Sequence, residues 1–329
     1  MRQSPFDREI ARRRDAGNAT NVRPNGATER EGRHVADTRL PFMQTCDCHT
    51  HVFADPREFP LAPERKYTPS TADHRRLAQH LHALGLGRVV VVQPSVYGVD
   101  NSATLDAIAA LGSAVARGVA TIDIAHISDA ELDRLAAGGM RGVRLNLETD
   151  GTASAAEVRR LLQAAARRVR GRGWHLQVHA RLALIAELSP AFAALEVPLV
   201  LDHYAGTHAS TPPDHPDFRQ LLAAMRSGTV YVKLSAGHLC GVTDDDFARL
   251  APLARALIAA RADRLVWGSD WPHPVPAPLE GASTERVTPL RQVDDAGSLA
   301  LLRACAPDQR TLEKILVSNP ASLYGFEPA

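Results

Sequence analysis

The chain has 329 residues, 45% of them hydrophobic, with 38 basic and 37 acidic side chains for a formal charge of +1. So even a balance excludes the strong basic field of a nucleic-acid binder or an anionic-membrane binder, and leaves small solutes as the expected partners. Four cysteines, Cys46, Cys48, Cys240 and Cys305, form no CxxC pair and fit a reducing, cytoplasmic setting rather than a disulfide-stapled one.

Residues Met1 to Leu40 are rich in Arg, Gly and polar side chains, with no apolar run long enough for a signal segment or a membrane span. A disordered Arg-rich extension is expected over residues 1–43, followed by a single domain over residues 44–329. Met43 would be a sensible alternative start, and Arg12-Arg13-Arg14 reads as a solvated charge run. The first strand begins at Thr45 and runs Cys46-Asp47-Cys48-His49-Thr50-His51. Period-two alternation puts His49 and His51 on one face and predicts that Cys46 and Cys48 face away from them as core thiols. Half of a thiolate metal site is the other reading of those cysteines, but no second Cys pair completes it.

Seven more apolar runs read as strands: 88–93, 118–123, 142–147, 174–179, 198–203, 229–235 and 264–269. Helical patterns fall between them at 71–84, 101–111, 128–137, 153–170, 182–188, 217–226 and 244–260, and a last helix is expected over 308–317. Eight βα units with short, continuously apolar strands predict an α/β fold of the (β/α)8 TIM-barrel type. A doubly wound sheet is the competitor, but no GxGxxG follows the first strand, so no dinucleotide crevice and no organic cofactor are expected. Residues 275–307, with a Pro-rich start, read as a long loop able to shape a pocket or a subunit contact in a homo-oligomer.

Barrel active sites form at the C-terminal ends of the strands. Those ends carry His49 and His51, then Gln93, Ser95 and Tyr97, then Arg144 and Asn146, His179, Asp202-His203, Lys233 and Ser235, and finally Asp270. Histidines at three ends with a carboxylate at a fourth suit a divalent metal or a polarised carbonyl. His49, His51, His179 and Asp270 are a candidate set for one zinc ion with an open position for water. A packing role for any single histidine, and a strand-end cap for Asp270, are the plainer alternatives.

The ordered set is similar to the amidohydrolase superfamily, specifically its branch of pyrone-dicarboxylate lactonases and sugar-lactone hydrolases. The carriers are Asp47-Cys48-His49-Thr50-His51-Val52-Phe53, Pro63-Glu64-Arg65-Lys66-Tyr67-Thr68-Pro69, Gln93-Pro94-Ser95-Val96-Tyr97-Gly98 with Asp100-Asn101, Arg141-Gly142-Val143-Arg144, Asp202-His203, Trp267-Gly268-Ser269-Asp270-Trp271-Pro272-His273 and Asn319-Pro320-Ala321. The resemblance implies hydrolysis at a carbonyl in the barrel mouth, with Asp270 as general base and then general acid. His49, His51 and His203 would polarise the carbonyl directly or through a metal. It also implies that Tyr67, Ser95 and Tyr97 contact an anionic or polyhydroxy lactone. Arg144 is the candidate carboxylate fork and Lys233 a further cation.

One departure narrows the substrate. The dicarboxylate lactonases carry an Arg in the loop after the seventh strand, where this chain reads Leu234-Ser235-Ala236-Gly237-His238-Leu239-Cys240. Imidazole is a poor replacement for a permanent fork of donors, so a monocarboxylated or sugar-derived lactone is expected. Rival readings are a zinc-dependent decarboxylase of an aromatic or muconate-type acid, with a similar His and Asp set, and a catalytically silent binding barrel.

Overall fold

The structure is a computed structural model that describes residues 42–147, 154–243, 245–275, 284 and 286–327. All but the last two residues of the expected 1–43 extension lie outside the described residues, as do Ala153, Asp244, 276–283 and 285; the rest of the expected 275–307 loop is described, and it is not loop throughout, since a helix capped by Asp294 occupies Asp295–Cys305.

Eight parallel strands follow one another around a barrel: β1 (Cys46–Thr50), β2 (Arg88–Val92), β3 (Ala116–Ala120), β4 (Met140–Asn146), β5 (His175–His179), β6 (Leu199–Leu201), β7 (Val230–Leu234) and β8 (Leu265–Trp267). The intervening helices are α1 (His74–Leu84), α2 (Ser102–Leu111), α3 (Asp129–Ala137), α4 (Ala155–Val169), α5 (Leu182–Leu188), α6 (Pro216–Ser227) and α7 (Ala251–Arg261), and α8 (Asp295–Cys305) follows β8. Polar caps set several of their starts. Asp73 accepts the Arg76 N–H, so α1 begins three residues later than its apolar pattern suggests, and Ser154 and Glu157 form a reciprocal capping box at α4. The last expected helix is longer than predicted. It passes through a π turn at Lys314–Ser318 and ends at Tyr324.

Alternation along the strands sorts side chains into two layers. Val89, Val91, Leu176, Leu199, Leu201, Val232 and Leu265 face outward and pack on helix residues such as Leu77, Leu162, Leu221 and Leu257. Val90, Val92, Val119, Val200 and Val266 fill the lumen with Tyr324 and Phe326 from the C-terminal segment. Arg88 and Arg117 stand 5.0 and 4.7 Å from the Phe326 ring centre and donate to the Glu327 and Gly325 carbonyls, so this segment plugs the end opposite the candidate site.

Strand β1 departs from simple alternation. Asp47 pairs with Val89, but Thr50 pairs with Val91, so three steps on β1 match two on β2. This bulge switches the parity of the strand. Cys46 and Cys48 therefore belong to the inner cluster, one layer below the histidines, instead of facing away from them as alternation predicts.

The seam between β8 and β1 is closed by backbone bonds from His51 N–H to the Trp271 carbonyl and from Asp270 N–H to the His49 carbonyl, both 2.8 Å. Asp47, fully buried, clasps the seam by accepting the N–H groups of His49 (3.1 Å) and Ser269 (3.0 Å) through Oδ1. Gly268 permits the approach, since a Cβ there would stand 2.7 Å from His49 N and Cβ. Gly142 has the same function inside the lumen, where a Cβ would meet the buried His175 ring at 2.4 Å. Overpacking at such a site costs about 1–3 kcal/mol. A Gly142→Val variant is expected to lose that much stability, read from its urea midpoint, and an unchanged midpoint would contradict the packing described. Among the described residues no helix is long and apolar enough to cross a membrane.

Candidate active site

The C-terminal strand ends surround a cavity of about 340 Å³. His51, His179, His203, Asp270, Arg144 and Asn146 reach it from strand ends, and Lys66, Tyr67, Ser95, His238 and Leu239 from loops. The backbone at this rim is strained. His203, Asp270 and His273 have φ of 53°, 75° and 60°, and Tyr204, Ala205 and Ala236 are also left-handed. Non-glycine residues hold such conformations at a cost of about 1–3 kcal/mol each, which the surrounding packing must offset.

Hydrogen bonding fixes the state of His51, whereas His49 Nδ1 faces both Asp202 Oδ1 and, at 3.3 Å, Lys233 Nζ. His51 Nδ1 lies 2.8 Å from the Val92 carbonyl. A carbonyl only accepts, so Nδ1 carries the proton and Nε2 keeps its lone pair. His49 Nδ1 lies 3.3 Å from Asp202 Oδ1, while its buried Nε2 has no hydrogen-bond partner. Both Nε2 atoms point at Asp270 Oδ1, at 3.5 Å from His49 and 3.4 Å from His51. One donor atom from each of these three residues lies within 4.8 Å of the others. An orphaned buried nitrogen, a second imidazole with its far nitrogen tied to an acceptor, and a carboxylate are the donor set a zinc ion takes, so the residues fit a metal. His179 is outside that group of three. Its ring centre is 4.7 Å from that of His203, which is itself 4.7 Å from His49.

Burial dominates the electrostatics. It pushes His49 and His179 down to about 4, with Lys233 adding to the effect at His49 and Arg144 at His179. His175 falls to about 3, and His203 is also held well below its ordinary value. Burial alone would raise the carboxyl of Asp270, but His203, His51 and His49 reverse this and hold it well below the usual range. In each histidine the folded value lies below the unfolded one of about 6.5. The unfolded chain then binds more protons in between, so stability is complete above about pH 6.5 and is lost as pH falls toward the folded values. The urea midpoint of chelator-treated protein should drop between about pH 7 and about pH 4.5, whereas a flat profile would mean these rings are not held neutral.

Beneath the cavity lies a polar floor that sequence reasoning only half located. Asp202, fully buried, meets Lys233 Nζ (3.5 Å) and His49 through Oδ1, and Gln177 Nε2 (2.9 Å) and Arg144 Nε (3.3 Å) through Oδ2. Lys233 Nζ donates to Gln177 Oε1 at 2.7 Å, and the side chain has no exposure. It therefore does not reach the cavity as a substrate contact. It neutralises Asp202, one layer below the rim. Tyr97 is also withdrawn, with its oxygen accepting the Ala54 N–H at 2.9 Å and burial pushing its pKa up to about 12. Tyr67 and Ser95 do line the cavity and bond to each other. Ser235 stands behind the site, with Oγ 3.0 Å from His203 Nδ1. Gln177 was missed, although polar residues at positions 175, 177 and 179 of one strand mark an inward polar face. Asp295 and His80 also went unnoticed, because they come from helices outside the barrel. Asp295 Oδ2 lies 2.9 Å from His273 Nε2 and 3.9 Å from His80 Nε2.

Residues 46–326 match the amidohydrolase family model. The chain is 35% identical to 2-pyrone-4,6-dicarboxylate hydrolase of Comamonas testosteroni, over 84% of this chain and 89% of that protein. It is 30% identical to 4-sulfomuconolactone hydrolase of Hydrogenophaga intermedia, over 85% and 88%. A crystal structure of a Pseudomonas putida protein described as a 2-pyrone-4,6-dicarboxylic acid hydrolase superposes with a TM-score of 0.70 at 29% identity, covering 87% of this chain and 99% of that one. An eight-stranded barrel with paired histidines after the first strand, an aspartate after the last, and these relatives along nearly its whole described length place the chain in the amidohydrolase family.

Proposed function

We propose that the protein is a lactonase that opens a carboxylated or sugar-derived lactone in the barrel mouth. The observation that carries this reading is the convergence of His49, His51 and Asp270, the last two lining a cavity that Arg144 also lines. Arg144 is held from below by Asp202 and presents a fork suited to one carboxylate. The position after β7 is His238 and not an arginine, which favours a lactone with a single carboxylate over the pyrone dicarboxylate.

In the proposed reaction, Asp270 accepts a proton from water as the water oxygen bonds to the lactone carbonyl carbon. The carbonyl π pair moves to oxygen, where His203 Nε2 donates if the Ser235 hydroxyl donates to Nδ1. Collapse breaks the ring C–O bond, and Asp270 returns the proton to the departing oxygen, giving an open-chain hydroxy acid. A carboxylate with so depressed a pKa is a weak base. A zinc ion held by His49, His51 and Asp270 would acidify the attacking water and polarise the carbonyl, which is the help such a base needs. His179, which lines the same cavity, completes the proposed metal set or contacts substrate.

The test is to follow proton release with purified full-length protein on monocarboxylated, dicarboxylated and sugar-derived lactones, measuring zinc on the same sample. Ring opening fastest on a monocarboxylated or sugar-derived lactone is expected. Carbon dioxide release from aromatic or muconate-type acids, with every lactone left intact, would put the decarboxylase reading in its place.

A further inference from the structure

Asp270 has two faces. Its Oδ1 serves His49 and His51, whereas its Oδ2 is 3.7 Å from Nε2 of His238, whose side chain is 2% exposed. Next to His238 stands His273, ring centres 5.6 Å apart and planes at 89°. One ligand atom from each of His238, Asp270 and His273 lies within 4.8 Å of the others.

We propose that His238, Asp270 and His273 form a second divalent-cation site, with the Asp270 carboxylate bridging it to the site at His49 and His51. Zinc at its usual bond lengths brings tetrahedral ligand atoms to about 3.3 Å apart, so small rotations of these rings close the site. His273 is prepared for the task. Its Nε2 is 2.9 Å from Asp295 Oδ2, and its Nδ1 is buried without a hydrogen-bond partner, 3% of the residue being exposed. A histidine tied at one nitrogen to a carboxylate and bare at the other is the arrangement that orients imidazoles toward metals.

The surroundings favour positive charge. Asp270, Asp295 and Asp47 converge here, and His80 Nε2 lies 3.8 Å from Asp47 Oδ2 and 3.9 Å from Asp295 Oδ2. The other clustering of candidate ligands, His49 with Asp202 and His203, is a weaker cation site, since both Asp202 oxygens already meet Lys233, Arg144 and Gln177.

This proposal shares Asp270 with the lactonase reading but is tested without substrate. Zinc titrated into chelator-stripped full-length protein, with calorimetry and metal content as readouts, is expected to reach two ions per chain. His273→Gln and His238→Gln are each expected to bind one, and so is His51→Gln. If His273→Gln does not fold, His238→Gln decides on its own. A single zinc in the wild type, or unchanged stoichiometry in the folded His238 and His273 variants, overturns the second site, while lactone opening by a one-zinc protein would leave the lactonase reading intact.

Discussion

Asp270→Asn is expected to lower kcat for lactone opening by roughly 10²–10⁴-fold, the range in which positioned acid–base groups contribute. The change keeps the shape of the side chain and removes its capacity to take a proton. It also removes the anion that His49, His51 and His203 face, so those three rings lose the partner at 3.4–3.5 Å that orders two of them. Because the backbone N–H of residue 270 bonds to the His49 carbonyl, the seam survives the substitution. The variant should therefore stay folded, with a midpoint lowered by the loss of that stabilised anion, while losing its catalysis and the zinc affinity proposed for the site. Retention of wild-type kcat would remove Asp270 from the role of base.

Asp202→Asn is expected to be the most destabilising single change at the site. Lys233 and Asp202 are both fully buried, and Arg144, at 8% exposure, is also paired to the same carboxylate. Breaking a buried pair by removing one partner costs on the order of 3–5 kcal/mol, because the remaining charge has no solvent to relax into. Here the amide would leave an ammonium without a counter-charge, and burial already works to lower the pKa of Lys233 against Asp202. The double variant Asp202→Asn with Lys233→Met should recover part of the loss, since it removes the stranded charge as well. The measurement is the urea midpoint of the three variants. If Asp202→Asn alone unfolds at the wild-type midpoint, the floor does not stabilise the barrel as described.

The architecture was legible because parallel strands buried on both faces are short apolar runs, and these runs recur between helical patterns from Arg88 to Trp267. His49, His51, His203 and Asp270 were legible as polar residues at strand ends. What alternation cannot supply is depth. It says that Lys233 faces the lumen, but not that it stops one layer below the rim, and it cannot foresee that Tyr97 is occupied by the Ala54 amide. Nor could it foresee the pairing of His273 with Asp295, which depends on how α8 packs against the seam and leaves no local pattern in the chain. The orientation of Cys46 and Cys48 was misjudged for a related reason, because period-two reasoning assumes a constant register and β1 does not keep one.

That extra residue in β1 also bears on which genetic changes the site can tolerate. Substitutions within residues 46–51 alter one side chain at a time and leave the strand phased as it is. Removing one codon between Asp47 and Thr50 would restore an even ladder and rotate one half of the strand relative to the other. Either the thiols or the two imidazoles would then be turned into the helix layer. In a library of random variants, frame-preserving single-residue deletions in this segment should thus cost either the thiol layer or the paired histidines, whereas deletions in the loops beyond the rim are a route by which the chain can change its substrate without surrendering its chemistry.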